Sequence, residues 1–181
     1  MSVIARDIAS AVEAAGDTGQ YLTFQLAGET FAIGILAIKE ILEYVPLTRV
    51  PLMPPFIRGV MNLRGAVVPV IDLARRFGRA ATQIGRRTGI VIIEVTYEEQ
   101  QLYIGVLVDA VHEVLAIPAA DIEPPPQFGG KIRADFITGM AKVGARFVVL
   151  LHVEHVLSVE EMTQLTDLQA DAAPDLRLET D

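Results

Sequence analysis

The feature that most constrains the fold of this chain is a repeat within its own sequence. Four segments recur in the same order in both halves: Ile33-Gly34 as Ile104-Gly105, IKEIL (38–42) as VHEVL (111–115), FIRGV (56–60) as FITGM (136–140), and VVPVIDL (67–73) as FVVLLHV (147–153). The spacing drifts where proline-rich segments of different length intervene. We therefore infer an internal duplication, in which one folding unit occurs twice in 181 residues.

Each copy carries the pattern of short β-strands. YLTFQL and TFAIGI alternate about the turn-prone AGE at 27–29, which is typical of a β-hairpin, and TYEE at 96–99 joins a second such pair. Proline clusters at 51–55 and 124–126 stand between the third and fourth strands of each copy, where a residue without an N–H favours a loop. A sheet of about five short strands removes its unpaired edges best by closing on itself. We therefore predict an all-β fold of two five-stranded β-barrels, packed together to bury apolar faces that neither could bury alone.

The two units are assigned to approximately residues 20–80 and 88–157, and exchange of strands between them is left open. RRFGRAATQIGRR at 75–87 joins them, and its five arginines and two glycines indicate a solvated connection. The arginines also support an alternative of another class, a small β-barrel that binds nucleic acid. Phe77 is the one aromatic residue of this segment that could stack on a base, and the net charge of −8 repels phosphate. A connection without a nucleic-acid partner is the favoured interpretation.

The two ends of the chain differ from the repeat between them. Residues 1–19 have the pattern of a weakly amphipathic leader. Ser158 and Glu161 have the spacing of a capping box, which predicts a C-terminal helix to about residue 168. Residues 167–181 are rich in acidic and small side chains, and we predict that they form a flexible acidic tail.

The composition excludes most kinds of catalytic site. The chain has no cysteine, which excludes disulfides, thiolate zinc sites and cysteine nucleophiles. FGGKIRA at 128–134 lacks the flanking residues of a phosphate-binding loop. HVEH at 152–155 is the sole basis for a metal site or an enzyme, but on a strand His152 and His155 point to opposite faces. We therefore predict no catalytic residue, no metal and no cofactor.

No segment has the pattern of a secretory signal or a membrane span. Arg6, Asp7 and Glu13 interrupt the N-terminal region, and apolar runs such as FVVLL at 147–151 are far shorter than the roughly 18 residues that cross a bilayer. Together with the lack of cysteine, this predicts a cytoplasmic protein without direct membrane insertion.

The order of four long segments closely resembles the CheW family of chemotaxis coupling proteins over residues 20–166. The segments are YLTFQLAGETFAIGILAIKEIL, VPLTRVPLMPPFIRGVMNLRGAVVPVIDL, LYIGVLVDAVHEVL and FITGMAKVGARFVVLLHVEHVL. The resemblance implies two five-stranded SH3-like barrels that share a core. It also implies a non-catalytic adaptor that couples the cytoplasmic tips of transmembrane chemoreceptors to the regulatory domain of the histidine kinase CheA. Such adaptors assemble in rings with CheA, at receptor arrays on the inner face of the membrane. Couplers of pilus-motility or second-messenger pathways have the same pattern and form the alternative.

The resemblance also assigns contact residues. Ile38 and Glu40 match the partner-contact segment of the family, Arg64 matches an arginine associated with receptor coupling, and Val111 and Val114 occupy positions tied to receptor contact. From the pattern alone, core packing is the favoured interpretation for the three apolar residues. Glu40 has an equivalent in the second copy, Glu113, so its presence can also reflect the geometry of the repeat.

The segment NLRG at 62–65 is predicted to connect two strands. Asn62 stands at the first position of this turn and Gly65, which tolerates positive φ, at the last. Gly59 and Gly65 match signature positions to which we assign a backbone role. The second copy reads KVGA, with Gly144 in the place of Arg64, so the corner does not need an arginine. We therefore expect Arg64 to point outward from a hairpin tip.

Overall fold

The computed structural model describes residues 18–124 and 137–152, which fold almost entirely into β-strands. The strands are β1 (Thr18–Leu26), β2 (Glu29–Gly34), β3 (Ile38–Glu43), β4 (Ile57–Leu63), β5 (Ala66–Asp72), β6 (Gly89–Tyr97), β7 (Gln100–Val108), β8 (Ala110–Pro118), β9 (Ile122–Glu123), β10 (Ile137–Val143) and β11 (Arg146–Leu151). A four-residue helix, α1 (Leu73–Arg76), follows β5, and single turns of 3₁₀ helix occupy Ile35–Ala37 and Ala119–Asp121. The prediction of an all-β fold is confirmed.

The strands form two sheets, and each sheet contains strands from both copies. The first sheet has the order β8-β1-β2-β11-β10-β9, and the second has the order β3-β6-β7-β5-β4. Neighbouring strands are antiparallel except for two parallel pairs, β11 with β2 and β5 with β7. Each parallel pair joins a strand of one copy to a strand of the other. The connection at residues 75–87 therefore divides the copies in sequence, while the sheets draw strands from both sides of it.

The sheets differ from the predicted pair of closed five-stranded barrels in two respects. β9, only two residues long, adds a sixth strand to the first sheet. Within the described residues the two end strands of each sheet do not pair, so hydrogen bonds do not close either sheet into a full barrel. One side of each sheet is covered by a further segment: β9 pairs with β10, and an isolated bridge from Thr48 to Val60 covers part of β4. Each sheet still has an apolar cluster of its own, consistent with an SH3-like architecture.

A third and larger apolar cluster lies between the sheets and is shared by them. The rings of Phe24 and Phe31 stack with their centroids 6.1 Å apart, and Phe77 packs against Phe31 at 5.8 Å. Phe77 belongs to the connection between the copies, so this segment contributes to the core. Buried members of the shared core from the first and second sheets include Leu22, Phe24, Phe31, Ile33, Ile71, Val91, Ile93, Ile104, Val106 and Leu151. The predicted shared core is confirmed.

The two copies also repeat their irregularities of strand pairing. The register of β3 on β6 shifts between Ile38 and Glu40, and the register of β8 on β1 shifts between Leu22 and Phe24. β4 and β10 each shift by one residue near their starts. A β-bulge inserts one residue and re-aims the side chains that follow. The duplication is therefore visible in the backbone as well as in the sequence.

Pro69 lies inside β5, a strand with neighbours on both sides, where proline is rare because it cannot donate a hydrogen bond. Its antiparallel partner Val60 uses both its N–H and its carbonyl to bond Thr48, at 2.8 and 2.9 Å, on the side away from β5. The nitrogen of Pro69 therefore faces β7, and the parallel ladder with β7 begins only at Val70. Proline is tolerated here because the ladder with β7 does not extend to this position.

A buried carboxylate anchors the end of β5 to the connection. Asp72 is fully buried and accepts hydrogen bonds from the backbone N–H and the hydroxyl of Thr82, both at 2.9 Å. Arg58 Nη1 donates to Asp72 Oδ2 and to the carbonyl of Thr82, each at 3.0 Å. Asp72 is also the N-cap of α1, where it accepts from the N–H of Arg75. One carboxylate thus joins the bulge of β4, the end of β5 and the connection.

Several predicted segments fall outside the described residues. These are most of the leader, the helix predicted to end near residue 168 and the acidic tail. In the part of the chain that is described, no helix is long and apolar enough to cross a membrane.

We expect Asp72→Ala to lower the free energy of unfolding by about 3–5 kcal/mol, since it leaves a partly buried arginine and the polar groups of Thr82 without their partner. Urea denaturation would measure this. The matched control is Glu29→Ala, which removes the more exposed Arg79–Glu29 pair at 3.0 Å and should cost less than about 1 kcal/mol. Equal losses in the two variants would contradict the anchoring role of Asp72.

Candidate functional site

Arg64 lies at the tip of the β4–β5 hairpin, as expected, but the turn is displaced by one residue from the predicted one. Leu63 and Ala66 pair with each other, so Arg64 and Gly65 are the two central residues. Their φ angles are 51° and 88°. Positive φ at both central residues gives a two-residue hairpin whose twist matches that of its strands. The displacement places Arg64, as well as Gly65, in the left-handed region.

Asn62 supports this turn from the end of β4. Its side-chain oxygen accepts a hydrogen bond from the N–H of Gly65 at 2.8 Å. In the second copy Val143 pairs with Arg146, so Gly144 occupies the position of Arg64, and its φ is 63°. Left-handed backbone costs a residue with a side chain about 1–2 kcal/mol, a cost that glycine avoids. The first copy thus holds an arginine where the second uses glycine.

The guanidinium of Arg64 forms a two-pronged ion pair with Glu40. Nη1 donates to Oε2 and Nη2 donates to Oε1, both at 2.7 Å. The side chain of Arg64 is 72% exposed and that of Glu40 is 26% exposed. Glu40 lies on β3, at one end of the strand order of the second sheet, and Arg64 follows β4 at the other end. The ion pair therefore bridges the two edges of a sheet that backbone hydrogen bonds leave open.

The ion pair changes the acidity of both groups. The hydrogen bonds from Arg64, with a smaller contribution from its charge, hold the pKa of Glu40 below its ordinary value. The same contacts raise the pKa of Arg64. Sequence reasoning named both residues but as separate contacts. The signal that was available is the pattern of the repeat: the glutamate is present in both copies, and the arginine opposite it is present in only one.

Ile38, Val111 and Val114 lie on β3 and β8, the equivalent edge strands of the two sheets. All three are half-buried and pack against the shared core. The pairing places Val111 opposite Phe24 and Val114 opposite Leu22, two fully buried residues. Part of each side chain therefore packs in the core, as the sequence pattern favoured. The rest of each side chain is accessible to solvent.

Gly59 follows the bulge of β4 at a point where two backbones approach closely. A Cβ at this position would lie 2.7 Å from the carbonyl oxygen of Thr48, which is closer than real side chains come. Gly139 stands in the same relation to the carbonyl of Glu123, also at 2.7 Å. In each copy a glycine thus lets the neighbouring segment cover the outer edge of the hairpin.

Some exposed apolar residues were missed by sequence reasoning. Leu36 is 85% exposed, in the 3₁₀ turn that directly precedes β3, and Phe147 on β11 is 57% exposed. Leu36 stands in the apolar run GILAIKEIL, whose pattern favours burial. The sequence signal for this exposure was Gly34. It ends β2, so the alternation of buried and exposed side chains along that strand does not extend to Leu36.

The described residues do not support the metal site or the nucleic-acid-binding surface considered from the sequence. The described ranges contain no group of three histidine, aspartate or glutamate residues that could hold a metal ion. His152 is described, while Glu154 and His155 lie outside those ranges. Phe77 is 4% exposed and packs in the shared core, so its ring is not available to stack on a base.

Comparison with known proteins decides the family. The model of the CheW-like domain matches residues 20–161. The chain belongs to the CheW family. It is 36% identical over 157 residues to the chemotaxis protein CheW of Klebsiella aerogenes, covering 86% of this chain and 92% of that protein. It is also 32% identical over 124 residues to protein FrzA of Myxococcus xanthus, covering 68% and 74% of the two chains.

A solved structure of the same family supports the fold. The crystal structure of the scaffolding protein TtCheW from Thermoanaerobacter tengcongensis superposes with a TM-score of 0.70 at 34% sequence identity. The match covers 80% of this chain and 95% of that one. The resemblance to the CheW family seen in the sequence is thus confirmed.

Replacing Arg64 should separate the contribution of the ion pair from that of the backbone. We expect Arg64→Ala to lower the free energy of unfolding only slightly, because ion pairs this exposed contribute little. Arg64→Gly loses the same pair but relieves the left-handed backbone, and should be more stable than Arg64→Ala by about 1 kcal/mol. Urea denaturation of the two variants would test this order. If Arg64→Gly were the less stable variant, the positive φ would not be a source of strain.

The acidity of Glu40 gives a second check on the ion pair. Because the pKa of Glu40 is lowered in the folded state, its stabilising effect is complete above the unfolded-state pKa and is lost as the pH falls through the lower folded-state pKa. We expect the carboxyl carbon of Glu40, followed by NMR, to titrate at higher pH in Arg64→Ala than in the unmodified protein. Arg49→Ala, an exposed arginine without a described contact to Glu40, is the control and should leave the titration unchanged. A titration of Glu40 that is the same in Arg64→Ala would show that the pair does not form in solution.

Proposed function

We propose that this chain is a non-catalytic adaptor that couples transmembrane chemoreceptors to the histidine kinase CheA. Its membership of the CheW family supports this proposal, as do the chemotaxis proteins among its relatives and the scaffolding protein of the same fold. The partners are the cytoplasmic tip of the receptor and the regulatory domain of the kinase. In such an assembly the adaptor performs no reaction of its own.

The observation that carries the proposal is the exposed side chain of Arg64, at a turn that the second copy makes with glycine. Its left-handed backbone costs the fold some stability, and an ion pair this exposed returns little of it. The second copy turns the same corner with Gly144 and avoids the cost. Ala27 and Glu98 have the same left-handed backbone at their hairpin turns, so the cost alone does not mark a contact. A guanidinium that is 72% exposed, where the second copy has no side chain, is well placed to contact a partner. We assign Arg64 and Glu40 to such a contact.

The proposed contact surface extends along the two equivalent edge strands. On β3 it includes Ile38 and Glu40, with the exposed Leu36 just before the strand. On β8 it includes Val111 and Val114. Two related edges on one rigid body allow an adaptor to hold two partners at once. A change in one partner can then bias the other through a coupling free energy, which is the mechanism we propose for control of the kinase.

This arrangement also suggests how the protein is placed in the cell. Rings in which the adaptor alternates with the kinase domain would bring it to receptor arrays at the inner face of the membrane. Its attachment there would be through the receptors and not through insertion of its own. Couplers of pilus-motility or second-messenger pathways would use the same contacts, and the identity of the receptor that binds would distinguish them.

A charge exchange tests whether Glu40 and Arg64 contact a partner or only each other. Glu40→Arg and Arg64→Glu are made singly and together, and calorimetry measures binding to a receptor-tip fragment and to the kinase regulatory domain. We expect the double variant to regain the stability lost in the single ones but to bind at least one partner about tenfold more weakly than the unmodified chain.

Two outcomes would contradict this prediction. Full recovery of binding in the double variant would mean that the pair serves the fold alone. Failure of the unmodified chain to bind either partner at tens of micromolar would overturn the proposed function itself. Lys142, exposed on the equivalent strand of the second copy, offers a control: Lys142→Glu should leave binding at Glu40 and Arg64 unchanged.

A further inference from the structure

Two neighbouring clefts meet at Arg87. The first has a volume of about 390 Å³ and is lined by Arg87, by Glu113 of β8 and by Arg146 of β11. The second has a volume of about 600 Å³ and is lined mainly by residues 80–88, with Asp109. Because Arg87 lines both, the two clefts form one continuous surface, which we call the arginine cleft.

The first part of the arginine cleft is the counterpart of the Glu40–Arg64 pair. Glu113 is the residue equivalent to Glu40, and Gly144 is equivalent to Arg64. Without a side chain at Gly144, no ion pair ties β8 to the β10–β11 turn. The edge that is bridged in the second sheet is therefore open in the first, and a cleft lies there.

The arginine cleft carries cations that the described residues do not neutralise. Arg86, Arg87 and Arg146 are exposed, and the structure gives them no ion pair within residues 18–124 and 137–152. The acidic residues that line it are Glu113 and Asp109, and Asp109 already accepts a hydrogen bond from the N–H of Ala27 at 2.9 Å. The surface has a local positive excess on a chain whose net charge is −8. An anionic group is the ligand that this chemistry favours.

The acidic tail, residues 167–181, offers a ligand of this kind within the same chain. It contains five acidic residues and one arginine. It lies beyond residue 161, where the match to the CheW-like domain ends, so it is an addition to the shared family domain. We propose that the acidic tail binds in the arginine cleft.

The chain can reach the cleft from its last described residue. Arg146 and His152 are six residues apart along β11 and its end, a distance of about 20 Å at 3.3–3.4 Å per residue. The 14 residues from 153 to 166 span about 21 Å if helical and about 46 Å if extended. A tether of this length keeps the acidic tail at an effective concentration on the order of millimolar. Ionic contacts with a dissociation constant below about 1 mM would therefore be mostly occupied in the free protein.

Occupation of the arginine cleft would have a consequence for partner binding. Val111, one of the proposed contacts on β8, lines the same cleft as Arg146. A bound tail would cover part of this edge, and a partner would have to displace it. This consequence rests on the proposed function, while the binding of the tail does not.

The test uses a synthetic peptide of residues 167–181 and the chain truncated after residue 166. Fluorescence anisotropy at low salt measures the dissociation constant. We expect the peptide to bind the truncated chain, to bind the full chain at least tenfold more weakly because the cleft is already filled, and to lose affinity steeply as salt is raised. A peptide with its five acidic residues replaced by amides should not bind.

Substitutions in the cleft locate the site. Arg87→Glu and Arg146→Glu should each weaken binding to the truncated chain by about tenfold, while Arg49→Glu, an exposed arginine that lines neither part of the cleft, should change it less than twofold. Thermal unfolding would confirm that the variants are folded. The proposal is overturned if the peptide does not bind the truncated chain, if it binds the full chain equally well, or if Arg49→Glu weakens it as much as the cleft variants do. Because neither receptor nor kinase is present, failure here leaves the proposed adaptor function intact.

Discussion

The two short parallel strand pairs, β5 with β7 and β11 with β2, are the constraint on which the rest of the structure depends. Each pair joins one copy of the repeat to the other, so neither copy can complete its sheet alone. Parallel neighbours require a long crossover, and here the connection after β5 supplies part of it. The anchoring of that connection by Asp72 and the burial of Phe77 follow from this arrangement. The shared core forms where the two sheets, each built from strands of both copies, bring their apolar faces together.

The two copies have diverged at one equivalent place, and the divergence separates their surfaces. In the second sheet Glu40 and Arg64 bridge the edge strands through a two-pronged ion pair. In the first sheet Gly144 removes the cation, and Glu113 faces an open cleft with Arg87 and Arg146. A duplicated fold thus presents an exposed ion pair at the edges of one sheet and a cationic cleft at the edge of the other.

Sequence reasoning predicted most of the local structure and less of the long-range contacts. The hairpins about residues 27–29 and 62–65 could be predicted because turn chemistry is local, although the second turn lies one residue later than expected. Positive φ at Arg64 was not predicted, because the neighbouring Gly65 was the residue to which positive φ was assigned. The role of Asp72 was missed because its partners, Arg58 and Thr82, come from other segments of the chain. Nothing in the order of residues states which distant groups will meet around a buried carboxylate.

The sequence by itself determined the strands, the duplication and the family, because alternation, turn residues and repeated motifs are written along the chain. Tertiary structure alone decided that β5, which pairs with β4 of its own copy, also pairs with β7 of the other copy, since the energy of that pairing depends on surfaces far apart in sequence. It also decided that Glu40 and Arg64, 24 residues apart, form a pair on the surface. The physical reason is the same in both cases. Side-chain periodicity reports which face of a strand is apolar, whereas the identity of its neighbour is set by how two complete sheets pack.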